Sequence, residues 1–557
     1  MTKRHHWASR GVKAALLAGA ACIVASTAMA QTAEPTAPLR LRSDYFGWGA
    51  SVSPRVGYTD NLNLAPDGLE EDSFIFSNLF SGGAIISKPR FTGIVSGDLD
   101  LSFLEQGSDF VVNQNIAAAS TATVVENLLY FDLAGSTSRQ LVGENARFSS
   151  NINAARSQRA DVHSYSASPY FYREFSDNSA AELRYRFSQV FVGDRNAGAN
   201  PFAGGLLNDS TTHEAVAAYD TGSRFGRLNL LLTAYGNRTV EDGSAFAPDF
   251  EYEQGSFTSA VRFALTDNFA LSGAVGYDEV NTDAVPGLYD DDALSGVFWR
   301  AGFTAKPGRK TSIRLEYGER YDDDFIDASV SYEISSRFRF TAGAGRSFET
   351  RAQSISGQFR ALQRDTLDFA DRLRDGAELS ADSIVNVANR VARGSTRSQS
   401  VGIGVSNHAF ASLVGAFDRF EVSARGSYEN TDFGYRQNEI YTLSLDARRQ
   451  ISRRITAYGG AYYRHSDTTV DQAICQASPF IFGFDVSDPL FDPVAACLGF
   501  ALQNGRTDTV GGRVGASYRL YENVSAFGEF SHATRFAETP TLEYGENNVL
   551  VGLTIDF

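Results

Sequence analysis

The chain has 557 residues and a formal net charge of −16; its first thirty residues carry four basic and no acidic side chains, leaving 46 basic against 66 acidic residues, or −20, in the remainder. That excess argues against a nucleic-acid partner, because phosphate binding wants a basic face. A mean hydropathy of −0.22 and the lack of any 18-residue apolar run after the first thirty residues exclude transmembrane helices, but not transmembrane strands, only half of whose residues face lipid.

At the start, Lys3, Arg4, Arg10 and Lys13 precede an apolar stretch from Ala14 to Ala25, and Ala28-Met29-Ala30 offers the small residues a signal peptidase reads. Residues 1–30 therefore read as a signal peptide of the general secretory route, cleaved before Gln31. Cys22 lies inside the apolar stretch, but no Leu stands three residues before it, which argues against lipidation. A short periplasmic segment, 31–46, leads into the first strand, and 47–557 reads as one all-β unit.

The hairpin rhythm defines that unit. Around Asp177-Asn178 two alternating runs flank a tight turn, and similar units recur at Thr266-Asp267-Asn268, Lys306-Pro307-Gly308, Ser335-Ser336-Arg337, Phe417-Asp418-Arg419, Ser452-Arg453-Arg454 and Tyr521-Glu522-Asn523. Asn, Asp, Gly and Ser tolerate the backbone angles such turns require. Further members lie at Lys88-Pro89-Arg90, Glu126-Asn127 and Thr221-Gly222-Ser223. Ten short turns with a strand at each end predict a transmembrane antiparallel up-and-down β-barrel of about 22 strands, within a range of roughly 18 to 22. The 50 Gly, 24 Tyr and 41 Phe suit it, as bends in the wall and aromatic girdles.

Long connections alternate with the short turns, as expected of outward loops: 61–72, 142–159, 193–209, 241–250, 281–294, 351–397 and 468–506. Within 353–393, Ile355, Phe359, Leu362, Phe369 and Leu373 fall on one helical stripe. Two readings stand: a helical surface cap, or a lid that folds into the mouth. The 468–506 loop carries Cys475 and Cys497, the two cysteines left after cleavage. In an oxidising envelope compartment they read as a disulfide staple contributing on the order of 3 kcal/mol. The acidic runs Asp290-Asp291-Asp292 and Asp322-Asp323-Asp324 read as a solvated loop face, with divalent cations bridging lipopolysaccharide as the alternative.

Strand parity sketches the interior. Leu183, Tyr185 and Phe187 oppose Glu182, Arg184 and Arg186, while Ile313, Leu315 and Tyr317 oppose Arg314, Glu316 and Arg320. The same split turns Arg339, Arg425, Arg448, Arg464, Arg513 and Arg519 inward with Asp327, Glu333, Glu421, Glu429 and Glu529. Such a lining either holds water and passes polar solutes or braces the wall with ion pairs. Twenty-two strands imply a backbone diameter of roughly 40–45 Å, too wide for side chains alone to fill.

The chain ends on an alternating strand: Val549, Val551, Leu553, Ile555 and Phe557 share one parity against Gly552, Thr554 and Asp556. This ending, with Leu553, Ile555 and Phe557, resembles the C-terminal assembly signal of bacterial outer-membrane proteins, which implies the barrel assembly machinery as a partner. Near the start, Gly57-Tyr58-Thr59-Asp60-Asn61-Leu62-Asn63-Leu64-Ala65-Pro66 and the stretch from Val125 to Gln140, Val-Glu-Asn-Leu-Leu-Tyr-Phe-Asp-Leu-Ala-Gly-Ser-Thr-Ser-Arg-Gln, resemble the β-barrel porin family linked to the PEP-CTERM/exopolysaccharide system. The resemblance implies an integral outer-membrane protein of Gram-negative bacteria, in contact with lipid and lipopolysaccharide and tied to exopolysaccharide. It supplies no catalytic residues, and 351–397 has no counterpart in it.

No catalytic, metal or cofactor constellation is legible. His5 and His6 leave with the leader, and His163, His213, His408, His465 and His532 show no ligand spacing. A TonB-dependent importer shares the strand number but needs a large plug ahead of the barrel, which 31–46 does not provide. The expected function is an outer-membrane channel for polar solutes; a sealed surface-anchoring barrel is the alternative, and a lipid-modifying enzyme a more remote one.

Overall fold

The computed structural model describes residues 45–557 apart from 142–146, 177, 194–208, 243–249, 283–293, 351–402, 435 and 480–490. The leader, its cleavage site, the Asp290-Asp291-Asp292 run and the 351–397 loop with its proposed lid lie outside the described residues. The strands are β1 (Tyr45–Thr59), β2 (Ser73–Lys88), β3 (Phe91–Leu104), β4 (Asp109–Val125), β5 (Leu129–Leu141), β6 (Arg159–Glu174), β7 (Ala180–Gly193) and β8 (Ser210–Asp220). They continue as β9 (Leu228–Glu241), β10 (Phe250–Thr266), β11 (Phe269–Thr282), β12 (Gly296–Gly308), β13 (Thr311–Arg320), β14 (Asp323–Glu333) and β15 (Phe338–Thr350). The last are β16 (Ile403–Phe417), β17 (Phe420–Asp432), β18 (Arg436–Gln450), β19 (Ile455–Val470), β20 (Thr507–Tyr521), β21 (Val524–Ala537) and β22 (Tyr544–Asp556).

Each strand pairs antiparallel with its chain neighbours, and β1 closes on β22 through a register running from Ser51 opposite Asp556 to Thr59 opposite Asn548. The result is a single 22-stranded sheet without an edge, the all-β antiparallel barrel expected from the hairpin rhythm. Closure gives every strand a hydrogen-bonded neighbour on both sides, which is what allows strands to cross a membrane. One turn falls elsewhere than expected. The β12–β13 hairpin turns at Arg309-Lys310, with Gly308 opposite Thr311, because a register irregularity between Ala305 and Gly308 absorbs Pro307, which has no N–H to give the ladder. At the end bearing the long connections, several are short. Tyr321 and Asp322 alone join β13 to β14, both with positive φ (57° and 53°), the backbone of a primed two-residue hairpin.

The wall is inverted relative to a soluble protein. Phe74, Phe76, Phe80, Leu133, Phe257, Leu443, Leu445, Val510, Val514, Val549 and Val551 lie exposed on one face, while Ser51, Ser77, Ser102, Thr121, Ser164, Thr212, Thr239, Ser412 and Thr509 are buried on the other. In water such a continuous apolar exterior would aggregate; in lipid it is the stable arrangement.

The β19–β20 connection, anticipated as a plain stapled loop, contains two helices, α1 (Gln472–Ala477) and α2 (Pro493–Asn504). Asp471 caps α1 by accepting from the Ala473 and Ile474 amides, and Asp492 caps α2 likewise from Val494 and Ala495. A Cys475–Cys497 disulfide joins the helices, buried with Phe500. Reduction is expected to remove about 3 kcal/mol of restraint from this connection and leave barrel melting unchanged. Limited proteolysis reads it: the connection should be cut faster after reduction, and equal rates would contradict the staple.

Candidate functional site: the lumen and its inward segment

The buried polar face encloses the lumen, and its charges are organised in pairs that sequence spacing conceals. Arg184 donates from Nη1 to Asp132 (2.8 Å) and from Nε to Glu182 (2.5 Å), and its guanidinium lies 3.6 Å from the Tyr170 ring centre. Arg186 pairs with Glu214. Arg300 lies 3.2 Å from both Glu316 and Asp327, and Arg314 reaches Asp327 at 2.7 Å. Arg320 grips both oxygens of Asp278, at 2.6 and 2.9 Å. Arg339 pairs with Glu333 at 3.0 Å near the short-turn end, both largely exposed.

The other arginines named from parity occupy the β16–β21 wall. Arg425 stands opposite Ser412 and Ser444; Arg448 lies between Glu421 and Tyr458; Arg464 lies between Thr442 and Thr509. Arg513 comes within 3.6 Å of Asp446, and Arg519 faces Ser525. In the acidic run at 322–324, Asp323 accepts from Arg346 at 2.7 Å. Among the described residues, no group of three or more His, Cys, Asp or Glu is placed to hold a metal ion.

A feature that sequence reasoning missed lies at the β5–β6 connection. Its described part, 147–158, turns into the lumen rather than outward. Ser149 accepts from the Asn151 amide and Asn151 from the Asn153 amide (3.1 and 3.0 Å), two successive side-chain turns that shape the segment. Ala155 then takes a left-handed conformation, φ 51°, and Arg147 N donates to Gln158 Oε1 at 2.6 Å, tying the start of the segment to its end.

From there it docks on both sides of the wall. Toward β3 and β4, Asn153 donates to Ser102 (3.2 Å) and accepts from Asn113 (2.8 Å), while Arg156 pairs with Asp109 (2.6 Å). Toward β1 and β22, Ser149 and Asn151 donate to Glu546, which also accepts from Thr59 at 2.9 Å. Tyr544 donates to the Phe148 carbonyl at 2.5 Å, and Phe148 packs edge-on against Tyr462 of β19, centroids 5.0 Å apart. The β1–β2 connection backs this arrangement: Leu62 O accepts from Ala155 N at 3.0 Å, and Leu64 packs with Ala154, Ala155, Ala533 and Tyr544. The segment thus bridges an arc running from β4 through β3, β2, β1, β22, β21 and β20 to β19 and narrows the lumen there. Burial lowers the affinity of the Arg147 guanidinium for its proton, but an arginine so shifted stays charged at neutral pH.

The missed signal is faint: Ser149, Asn151 and Asn153 alternate in small polar side chains, with partners up to 397 residues away.

No family model and no curated protein matches the chain. Solved structures of similar outline include the siderophore receptor PirA from Acinetobacter baumannii, at 9% identity over 91% of this chain and 80% of that one, TM-score 0.45. PirA from Pseudomonas aeruginosa matches at 9% identity over 92% and 80%, TM-score 0.42. The ferric-catecholate import receptor Fiu from E. coli K12 matches at 10% over 93% and 82%, TM-score 0.43. At these scores the likeness carries no argument about what this chain binds or moves. Its own closed sheet and apolar exterior make it an integral outer-membrane β-barrel.

Proposed function

We propose that the barrel is a channel through which polar solutes diffuse across the outer membrane, past a constriction formed by residues 147–158. The observation that carries this reading is the lining. A wall of buried Ser, Thr, Asn and paired charges surrounds a lumen roughly 40–45 Å across at the backbone, wider than the inward segment seen among the described residues can fill. The resemblance of 57–66 to exopolysaccharide-linked porins extends the reading to carbohydrate cargo. That stretch forms the outer end of β1 and the connection whose Leu62 carbonyl holds the constriction. On the same reading, Leu553, Ile555 and Phe557 deliver the chain to the barrel assembly machinery.

The ion-pair networks around Arg184, Arg300 and Arg320 favour a second reading, a sealed barrel whose interior is bracing. Liposome swelling separates the two. Vesicles containing the purified protein should swell in small neutral sugars at rates that fall as sugar size rises. Rates equal to protein-free vesicles for every sugar would support the sealed barrel.

A further inference from the structure

The short-turn end faces the periplasm in barrels of this kind, and there two successive hairpins, β16–β17 and β18–β19, present arginines beside large apolar side chains. Arg419 stands in the first turn, Arg449 lies near the end of β18, and Arg453 and Arg454 stand in the second turn, all four exposed. Register sets them side by side. Arg449 lies opposite Phe420, and the neighbouring Gln450 amide donates to the Arg419 carbonyl at 2.8 Å. Ser452 Oγ accepts from the Arg454 and Ile455 amides at 3.2 and 3.0 Å, which closes the second turn with Arg453 in its middle. The Arg454 carbonyl accepts from the Arg519 amide of β20 at 2.8 Å. Two strand spacings, roughly 10 Å, separate the turns.

The carboxylates of this region are few. Glu421 lies opposite Arg448 on the inward-facing side, Asp418 precedes Arg419 in its turn, and Glu522 stands on the next turn, between β20 and β21. Among the described residues none of the four arginines is in an ion pair; the pairs in this part of the wall are Arg339 with Glu333 and Arg513 with Asp446. The apolar exterior ends among them. Phe420, Ile451, Tyr518 and Leu520 lie exposed on the face that carries Leu443, Leu445 and Val514, and Arg454 Nη1 donates to the Tyr518 hydroxyl at 3.5 Å. A border where rings and aliphatic chains give way to a tier of cations matches the level at which lipid headgroups begin. An exposed guanidinium gains little from an isolated ion in water. At the headgroup level it meets phosphates at high local concentration and pairs with them in a bidentate fashion, and the acyl chains of the same molecule bind the apolar residues beside it.

We infer that the β16–β17 and β18–β19 turns form a docking surface for an anionic phospholipid of the periplasmic leaflet, its phosphate held by Arg449, Arg453 and Arg454 and its acyl chains lying against Ile451 and Tyr518. The test places a reporter, Ile451→Trp, in the full-length protein with Trp7, Trp48 and Trp299 replaced by Phe. The protein is folded into phosphatidylcholine vesicles that carry equal fractions of either dibrominated phosphatidylglycerol or dibrominated phosphatidylcholine, and quenching of the reporter is compared. At low salt phosphatidylglycerol should quench as though enriched roughly threefold at the reporter, and high salt should lessen the preference. Arg449→Gln with Arg453→Gln and Arg454→Gln should bring the two lipids to parity, whereas Lys at the same three positions should retain a preference. Arg453→Gln alone, in a turn position outside the ladder, should lower the preference part of the way. Equal quenching by the two lipids in the protein with all its arginines overturns the inference, as does a preference that survives the triple Gln change. Loss of the preference on adding inorganic phosphate, but not on adding sodium chloride to the same ionic strength, also overturns it and assigns the arginines to a free anion. None of these outcomes bears on whether the barrel conducts.

Discussion

Asp278→Ala is expected to lower the stability of the barrel by about 3–5 kcal/mol, the usual result of stranding one partner of a buried ion pair. The Arg320 and Asp278 side chains are only 8% and 2% exposed, so water cannot replace the lost carboxylate. Arg320 is also fixed between the Phe298 and Tyr321 rings, 4.5 and 4.9 Å from their centres, and cannot swing into the lumen to find water. The pair joins β11 to β13 across β12, beside the cluster of Tyr252, Val280, Leu294, Tyr321 and Phe348. Urea unfolding of the protein in lipid or detergent measures the effect. Removing both charges together, as Asp278→Leu with Arg320→Met, should recover much of the loss, because the cost lies in the unpaired cation rather than in the missing attraction. A single-variant loss below about 0.5 kcal/mol, the level of ordinary surface substitutions, would mean that water reaches the pair.

The second large effect concerns conductance. Replacing 148–155 with a short Gly-Ser link should raise unitary conductance roughly twofold or more, since current follows the narrowest cross-section. The same change frees Glu546, Tyr544 and Tyr462 from Ser149, Asn151 and Phe148. A milder variant therefore accompanies it: Ser149→Ala with Asn151→Ala removes two of the three donors to Glu546 but keeps the segment's length. It should add open-state current noise with a smaller rise in conductance. Unchanged conductance in the shortened protein would place the narrowest point elsewhere.

The wall was legible in the sequence because its rules are local. Strand parity follows from adjacent residues, so Leu183 against Arg184 or Val549 against Asn548 is visible without a structure. Turns such as Ser452-Arg453-Arg454 follow from side chains that bond their own backbone: Ser452 Oγ accepts from the Arg454 and Ile455 amides. Partners were not legible. Arg184 meets Asp132 52 residues away, and Arg320 meets Asp278 42 residues away, distances set by barrel register. Arg300, Asp278, Tyr544 and Glu546 consequently went unnamed.

The constriction was hidden for a different reason. The apolar stripe at 353–393 advertises itself in sequence, whereas 147–158 docks through single hydrogen bonds from small polar residues, which in sequence look like any solvated loop. Its arginines also carried no distinguishing mark. Arg464 belongs to the same inward-facing series as Arg425 and Arg448, and only the strand register sets it level with Arg535, on either side of Thr509.

The measurement that tests the channel most directly is single-channel current from the purified, folded protein in a planar bilayer. Steady, stepwise current that grows linearly with voltage is the predicted result. Persistent silence from protein shown by heat-modified gel mobility to be a folded barrel would contradict it and leave a sealed barrel as the function of this wall.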